Sequence, residues 1–105
     1  MPAKAEGSAR IAPEGAAEEV VRAMTAVATS DRGTGRRAPV EGITLAMKTG
    51  TAGKRADGLQ ALILAFAPVD HPRIAFGIIA ENAGPAEFAG AKIAHDFLAA
   101  MKSRL

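Results

Sequence analysis

At 105 residues the chain is long enough for one domain with a single modest core. An apolar fraction of 49% suits a packed globule, and with four Phe as the only aromatics the core must be built from Ala, Val, Ile and Leu. A net charge of +2 with mixed signs gives no case for nucleic acid or an anionic membrane, and the lack of cysteine excludes disulfides and thiolate chemistry.

Residues 1–12 are small and polar and read as a flexible lead-in, with residues 13–105 as a single folded unit. Residues 1–7 hold no apolar signal core, and the longest apolar runs, 61–68 and 74–80, are too short for a membrane span. The expectation is a soluble chain that stays where it is made. Pro13 and Glu14 open a helix pattern in which Ala17, Val20, Val21, Met24, Val27 and Ala28 form one apolar stripe, with Glu18 and Glu19 in the early turns. Residues 29–39 break it with two glycines and the basic residues Arg32, Arg36 and Arg37.

Three strands are predicted next, at residues 43–51, 59–67 and 73–81, the last two joined by the turn 68–72. The second and third are almost continuously apolar, which predicts burial on both faces. Gly84 and Pro85 then start a second helix, with Ala89, Ile93, Phe97, Ala100 and Met101 on its core side and Lys102 and Arg104 at its end. Helix, three-stranded antiparallel sheet and helix make an α+β fold.

His71 and His95 lie far apart without metal-ligand spacing, so no metal and no cofactor is expected. His71 reads as a turn residue. His95 adjoins Asp96, but neighbouring helix residues do not face each other, so a solvated or half-buried ring is the simpler reading. Arg32, Arg36, Arg37, Lys54 and Arg55, interspersed with acids and lacking an aromatic platform, read as solvated surface. Glu81 and Asn82 read as capping the third strand.

Chemistry concentrates in Lys48-Thr49-Gly50-Thr51, late in the first predicted strand and just before the polar turn 53–58. A Lys-Thr-Gly triplet on a strand edge is one of three motifs shared by penicillin-binding transpeptidases and serine β-lactamases. Its surroundings extend the likeness. Gly33-Thr34-Gly35 stands where that family has a Gly-Thr-Gly or Gly-Thr-Ala loop, ahead of a strand ending in Ala-Gly-Lys-Thr-Gly-Thr-Ala. Ala65-Phe66-Ala67-Pro68 resembles the Gly-Phe-Ala-Pro that ends the next strand, residues 74–82 resemble the strand finishing in Val-Glu-Asn, and residues 18–27 resemble the helix with a Met-x-x-Val pattern. From about residue 10 onward the chain resembles the C-terminal part of a penicillin-binding protein transpeptidase domain, and its α+β layout would be a subregion of that fold.

The resemblance implies substrate-binding roles for Lys48, Thr49, Gly50 and Thr51. Lys48 would place a positive charge near a substrate carboxylate, the Thr49 and Thr51 hydroxyls would bond it, and Gly50 would let substrate approach the backbone. The Thr51 N–H would form half of an oxyanion hole, and the substrate would add to the strand edge. Two departures stand out. Met47 occupies a place where the family usually has Gly, which would crowd the strand before the lysine, and Leu59-Gln60-Ala61-Leu62 replaces an early aromatic.

A third departure is chemical. The serines are Ser8, Ser30 and Ser103, none followed at the third place by Lys, and the single asparagine, Asn82, has no Ser or Tyr two places before it. Within these residues the Ser-x-x-Lys and Ser-x-Asn motifs are absent, no catalytic residue is assigned, and activity of the chain alone is not expected. A peptidoglycan stem peptide or a β-lactam would be a ligand only once another segment completes the site. The alternative is a non-catalytic interaction or structural module derived from the fold. In the family the third strand pairs with N-terminal strands, so an open apolar edge over residues 73–81, from Arg73 to Glu81, implies a homodimer or a partner chain. The family works outside the cytoplasmic membrane.

Overall fold

The computed structural model describes residues 7–54, 56 and 58–105. Residues 1–6 of the expected lead-in, and Arg55 of the basic group, lie outside the described residues. The elements are α1 (Ala16–Thr29), β1 (Ala46–Ala52), β2 (Gln60–Ala67), β3 (Ile74–Ala80) and α2 (Ala91–Met101), with a π-helical turn (Ala86–Gly90) before α2 and a 3-10 turn (Lys102–Arg104) after it. The strands form one antiparallel sheet in the order β1-β2-β3. This is the expected α+β arrangement.

Helix α1 begins later than Pro13 because the Ala16 N–H donates to the Pro13 carbonyl and Gly15 turns left-handed at φ +87°. Its apolar stripe is only half used: Ala28 is buried, Val21, Met24 and Val27 are half-buried, and Ala17 and Val20 are exposed. Strand β1 starts at Ala46 rather than at residue 43. Ile43 and Leu45 are buried, but the Ile43 N–H closes a turn onto the Val40 carbonyl, and the Thr44 hydroxyl accepts from the Val69 N–H at 2.8 Å.

Adjacent strand residues point to opposite faces, so the register defines two surfaces. One carries Met47, Thr49, Ile63, Ala65, Phe76 and Ile78, and α2 covers it through the buried Ala91, Ala94 and Leu98. The other carries Lys48, Gly50, Leu62, Leu64, Gly77 and Ile79. Burial of β2 and β3 on both faces, expected from their apolar runs, is not what the structure shows. Leu64 is 62% exposed and Ile79 71% exposed, because α1 lies against β1 and reaches this face only beside Lys48 and Leu64.

The core side of the last helix also differs from expectation. Ala86, Gly90, Ala91, Ala94 and Leu98 are buried, while Ala89, Ile93 and Ala100 are exposed. The π turn holds an extra residue relative to an α turn, which rotates every later side chain and moves the buried stripe. Phe97 keeps a core contact, its ring 4.8 Å from that of Phe76 and tilted by 56°. Phe97→Leu is expected to cost about 1 kcal/mol beyond any change in buried area, read as a lower midpoint in urea unfolding.

Candidate substrate-binding edge

The Lys48-Thr49-Gly50-Thr51 motif occupies the middle of β1, whose one ladder partner among the described residues is β2. Alternation divides the four residues. Lys48 and Gly50 lie on the open face, opposite Leu64 and Leu62; Thr49 and Thr51 lie on the covered face, opposite Ile63 and Ala61. Along the open face runs a shallow groove of about 500 Å³ bordered by Lys48, Gly50, Leu62, Leu64, Gly77 and Ile79. It is an apolar floor with one cation at its rim.

Each motif side chain has a defined local partner. The Lys48 ammonium folds onto the Thr49 carbonyl, and among the described residues it forms no ion pair. Thr49 is 7% exposed, and its hydroxyl pairs with that of Thr34. The Thr51 hydroxyl accepts from the Ala86 N–H at 3.0 Å and keeps its own proton to donate. Gly50 is spacious: an added Cβ would come no nearer than 3.5 Å, to Leu62. Met47, expected to crowd the strand before Lys48, points the other way into the core with no exposure, where its thioether packs over Gly35.

The Gly33-Thr34-Gly35 loop, expected ahead of the motif strand in the chain, lies against it in space through Thr34, a contact that no sequence pattern signals. The Gly35 N–H donates to the Val27 carbonyl at 3.0 Å, which folds the loop back on the end of α1 and sets the Thr34 hydroxyl on Thr49. The neighbouring arginines are less solvated than expected. Arg36 pairs with Glu87 at 3.6 Å, and Arg37 donates to the Glu87 carbonyl and stacks 4.7 Å over the Phe88 ring. They clamp the loop to the π turn whose first N–H serves Thr51.

His95 is half-buried, its Nδ1 within 3.2 Å of the Ala38 carbonyl and 3.0 Å of the Pro39 carbonyl, so it fastens the same loop to α2. His71 is exposed in the turn after β2. Asn82 turns left-handed at φ +53° after β3, while the Ala83 N–H bonds the Leu59 carbonyl at 2.9 Å. Among the described residues no group of three or more His, Asp or Glu is placed to hold a metal ion, and no helix is long and apolar enough to cross a membrane.

A three-stranded antiparallel sheet backed by a C-terminal helix, with Lys-Thr-Gly-Thr on its first strand, defines a transpeptidase-like α+β unit. The family model of the penicillin binding protein transpeptidase domain matches residues 4–102, and the chain belongs to that family. Its structure is similar to the D,D-transpeptidase domain of a peptidoglycan glycosyltransferase from Eggerthella lenta, with a TM-score of 0.59 and 29% identity. That likeness covers 74% of this chain and 18% of the other, so the chain spans a small part of the neighbour's length. No curated protein matches it.

Proposed function

We propose that Lys48, Thr49, Gly50 and Thr51 form the substrate-binding wall of a peptidoglycan D,D-transpeptidase site whose nucleophile comes from another segment. The observation that carries this reading is the motif's position on β1, at the end of the strand order, with Lys48 and Gly50 facing an open groove. In this reading Lys48 leaves the Thr49 carbonyl to meet a substrate carboxylate. On the other side of the strand edge the Thr51 hydroxyl keeps a proton to donate to substrate, and the Thr51 N–H faces the developing oxyanion. Thr49 acts through structure instead, its buried hydroxyl bonding Thr34 to hold the strand against the loop. Residues 13–105 act as one unit, and the outer edge of β3 accepts a strand from another chain.

A fluorescent penicillin tests this. The 105-residue chain alone should take no covalent label, since no serine within it has a lysine at the third following place. Mixed with a segment carrying Ser-x-x-Lys and Ser-x-Asn from a related domain, it should permit labelling of that segment's serine, and Lys48→Ala should reduce the labelling rate ~100-fold. Labelling of the isolated chain, or a mixture in which Lys48→Ala labels as fast as the parent, would overturn the assignment.

A second reading, a non-catalytic interaction module, is favoured by the exposed Leu64 and Ile79 on the uncovered face. Binding of a companion segment with no labelling of its serine would support that reading over the first.

A further inference from the structure

The π turn Ala86–Gly90 lies against β1 and β2. Such turns are rare and recur at functional sites. The Ala91 N–H reaches back five residues to the Ala86 carbonyl, and Pro85 has no N–H, so the Ala86 N–H is the first donor of the turn. An ordinary helix start leaves that donor to water or a cap. Here Ala86 is 1% exposed, and its N–H ends on the Thr51 hydroxyl oxygen at 3.0 Å.

Two sets of contacts hold the turn in place. On its inner side Ala86 and Gly90 are buried, and an added Cβ at Gly90 would stand 3.0 Å from the Ala61 Cβ. Ala61 is the ladder partner of Thr51, so the turn is seated beside the residue it serves. On its outer side Arg37 donates to the Glu87 carbonyl at 3.3 Å, with its guanidinium 4.7 Å over the Phe88 ring. Arg36 bridges the Gly33 carbonyl at 3.0 Å and the Glu87 carboxylate at 3.6 Å. Among the described residues no backbone hydrogen bond ties loop 33–39 to the turn, so side chains make the connection.

We propose that the π turn is a positioning element for substrate binding and Arg37 the positioning residue that secures it, holding the Ala86 N–H on Thr51 so that the Thr51 hydroxyl is fixed as a donor toward substrate. The proposal rests on the reading of Thr51 as part of the substrate wall and names what orients its hydroxyl. A threonine hydroxyl rotates freely and can donate or accept, so an unrestrained one presents its proton to substrate only part of the time. Accepting from Ala86 removes that freedom. One lone pair is occupied from the covered side, and an N–H cannot accept a proton in return. Among the described residues the Thr51 proton has no protein acceptor, and Thr51 is exposed. The proton is left for an acceptor oxygen of the substrate, already oriented before binding. Arg37 acts through the turn, since its contacts are with Glu87 and Phe88 rather than with the motif.

Amide exchange in the 105-residue chain reads the turn without any ligand. Thr51→Val and Gly90→Ala should each speed exchange at Ala86 ~10-fold, and Arg37→Ala ~5-fold, with Ile63 unchanged in Arg37→Ala. Arg37→Lys should keep most of the protection, because it still sets a cation over Phe88. Lys92→Ala, which breaks the exposed ion pair to Asp96, should leave Ala86 as it is.

In the labelling mixture with the companion segment, Arg37→Ala should slow penicillin labelling ~5-fold and Thr51→Val ~10-fold. The double variant should label no slower than Thr51→Val, because Arg37 then has no hydroxyl to orient. A merely structural Arg37 would instead give losses that add. Unchanged Ala86 exchange in Arg37→Ala, or additive losses in the double variant, would overturn the proposal. If the parent mixture labels and Arg37→Ala labels as fast, only the proposal falls. If Ala86 exchange responds but the parent mixture takes no label, the wall reading falls and the proposal with it.

Discussion

Met47→Ala is expected to destabilise the fold by about 3 kcal/mol and Gly35→Ala by about 2 kcal/mol, while the double variant loses less than the sum of the two. Met47 is wholly buried, so truncation leaves a cavity in a core made largely of alanines that cannot collapse to fill it. Gly35 is the other half of the same fit. A Cβ there would overlap the Met47 sulfur and come within 3.0 Å of its Cγ and Cε. Methionine is flexible, but one with no exposure has nowhere to move without displacing its neighbours in the core, Ala65 across the ladder among them. In the double variant the new methyl at position 35 enters space the thioether has vacated. Urea unfolding of the four proteins should give a coupling of about 1 kcal/mol or more. Additive losses would mean that the loop and strand do not share this contact.

The same pair shows what could be read from the sequence and what could not. The residues 33–35 and 48–51 were recognisable as motifs, and their order along the chain placed them on neighbouring elements. That Met47 points away from Lys48 follows from strand alternation alone, yet which face held the core depended on where α2 packed. The strands themselves were legible to within a few residues, because β-rich apolar runs bounded by Pro and Gly leave little choice. Burial was harder. Apolarity at Leu64 and Ile79 predicted a covered surface, but covering it requires other elements, and α1 spans only the Lys48 side. The buried stripe of α2 was misplaced because the π turn at Ala86–Gly90 shifts its phase, and no local residue pattern announces a π turn. The Thr34–Thr49 hydroxyl pair was hidden for a simpler reason: two threonines far apart in sequence carry no pairing signal until the loop is folded.

Gly33→Ala is expected to cost about 3 kcal/mol or more and to loosen the motif strand along with the loop. A Cβ at Gly33 would overlap the Val27 carbonyl oxygen and also crowd the Ala26 carbonyl, both backbone atoms near the end of α1 that no rotamer change can remove. The Val27 carbonyl is also the acceptor for the Gly35 N–H, so pushing it aside breaks the hydrogen bond that turns the loop back on the helix. Thr34 lies between these two glycines, and its hydroxyl pairs with that of the buried Thr49. The substitution should therefore lower the midpoint of urea unfolding and raise amide exchange at Thr49 and Gly50, two residues of the proposed substrate wall. Gly15→Ala supplies the control. Gly15 is left-handed at φ +87° but has no atom within 4 Å of an added Cβ, so its cost is the backbone strain alone, about 1 kcal/mol, with exchange in β1 unchanged. Equal losses from the two variants, or protection at Thr49 that survives Gly33→Ala, would show that the loop does not hold the motif strand in place.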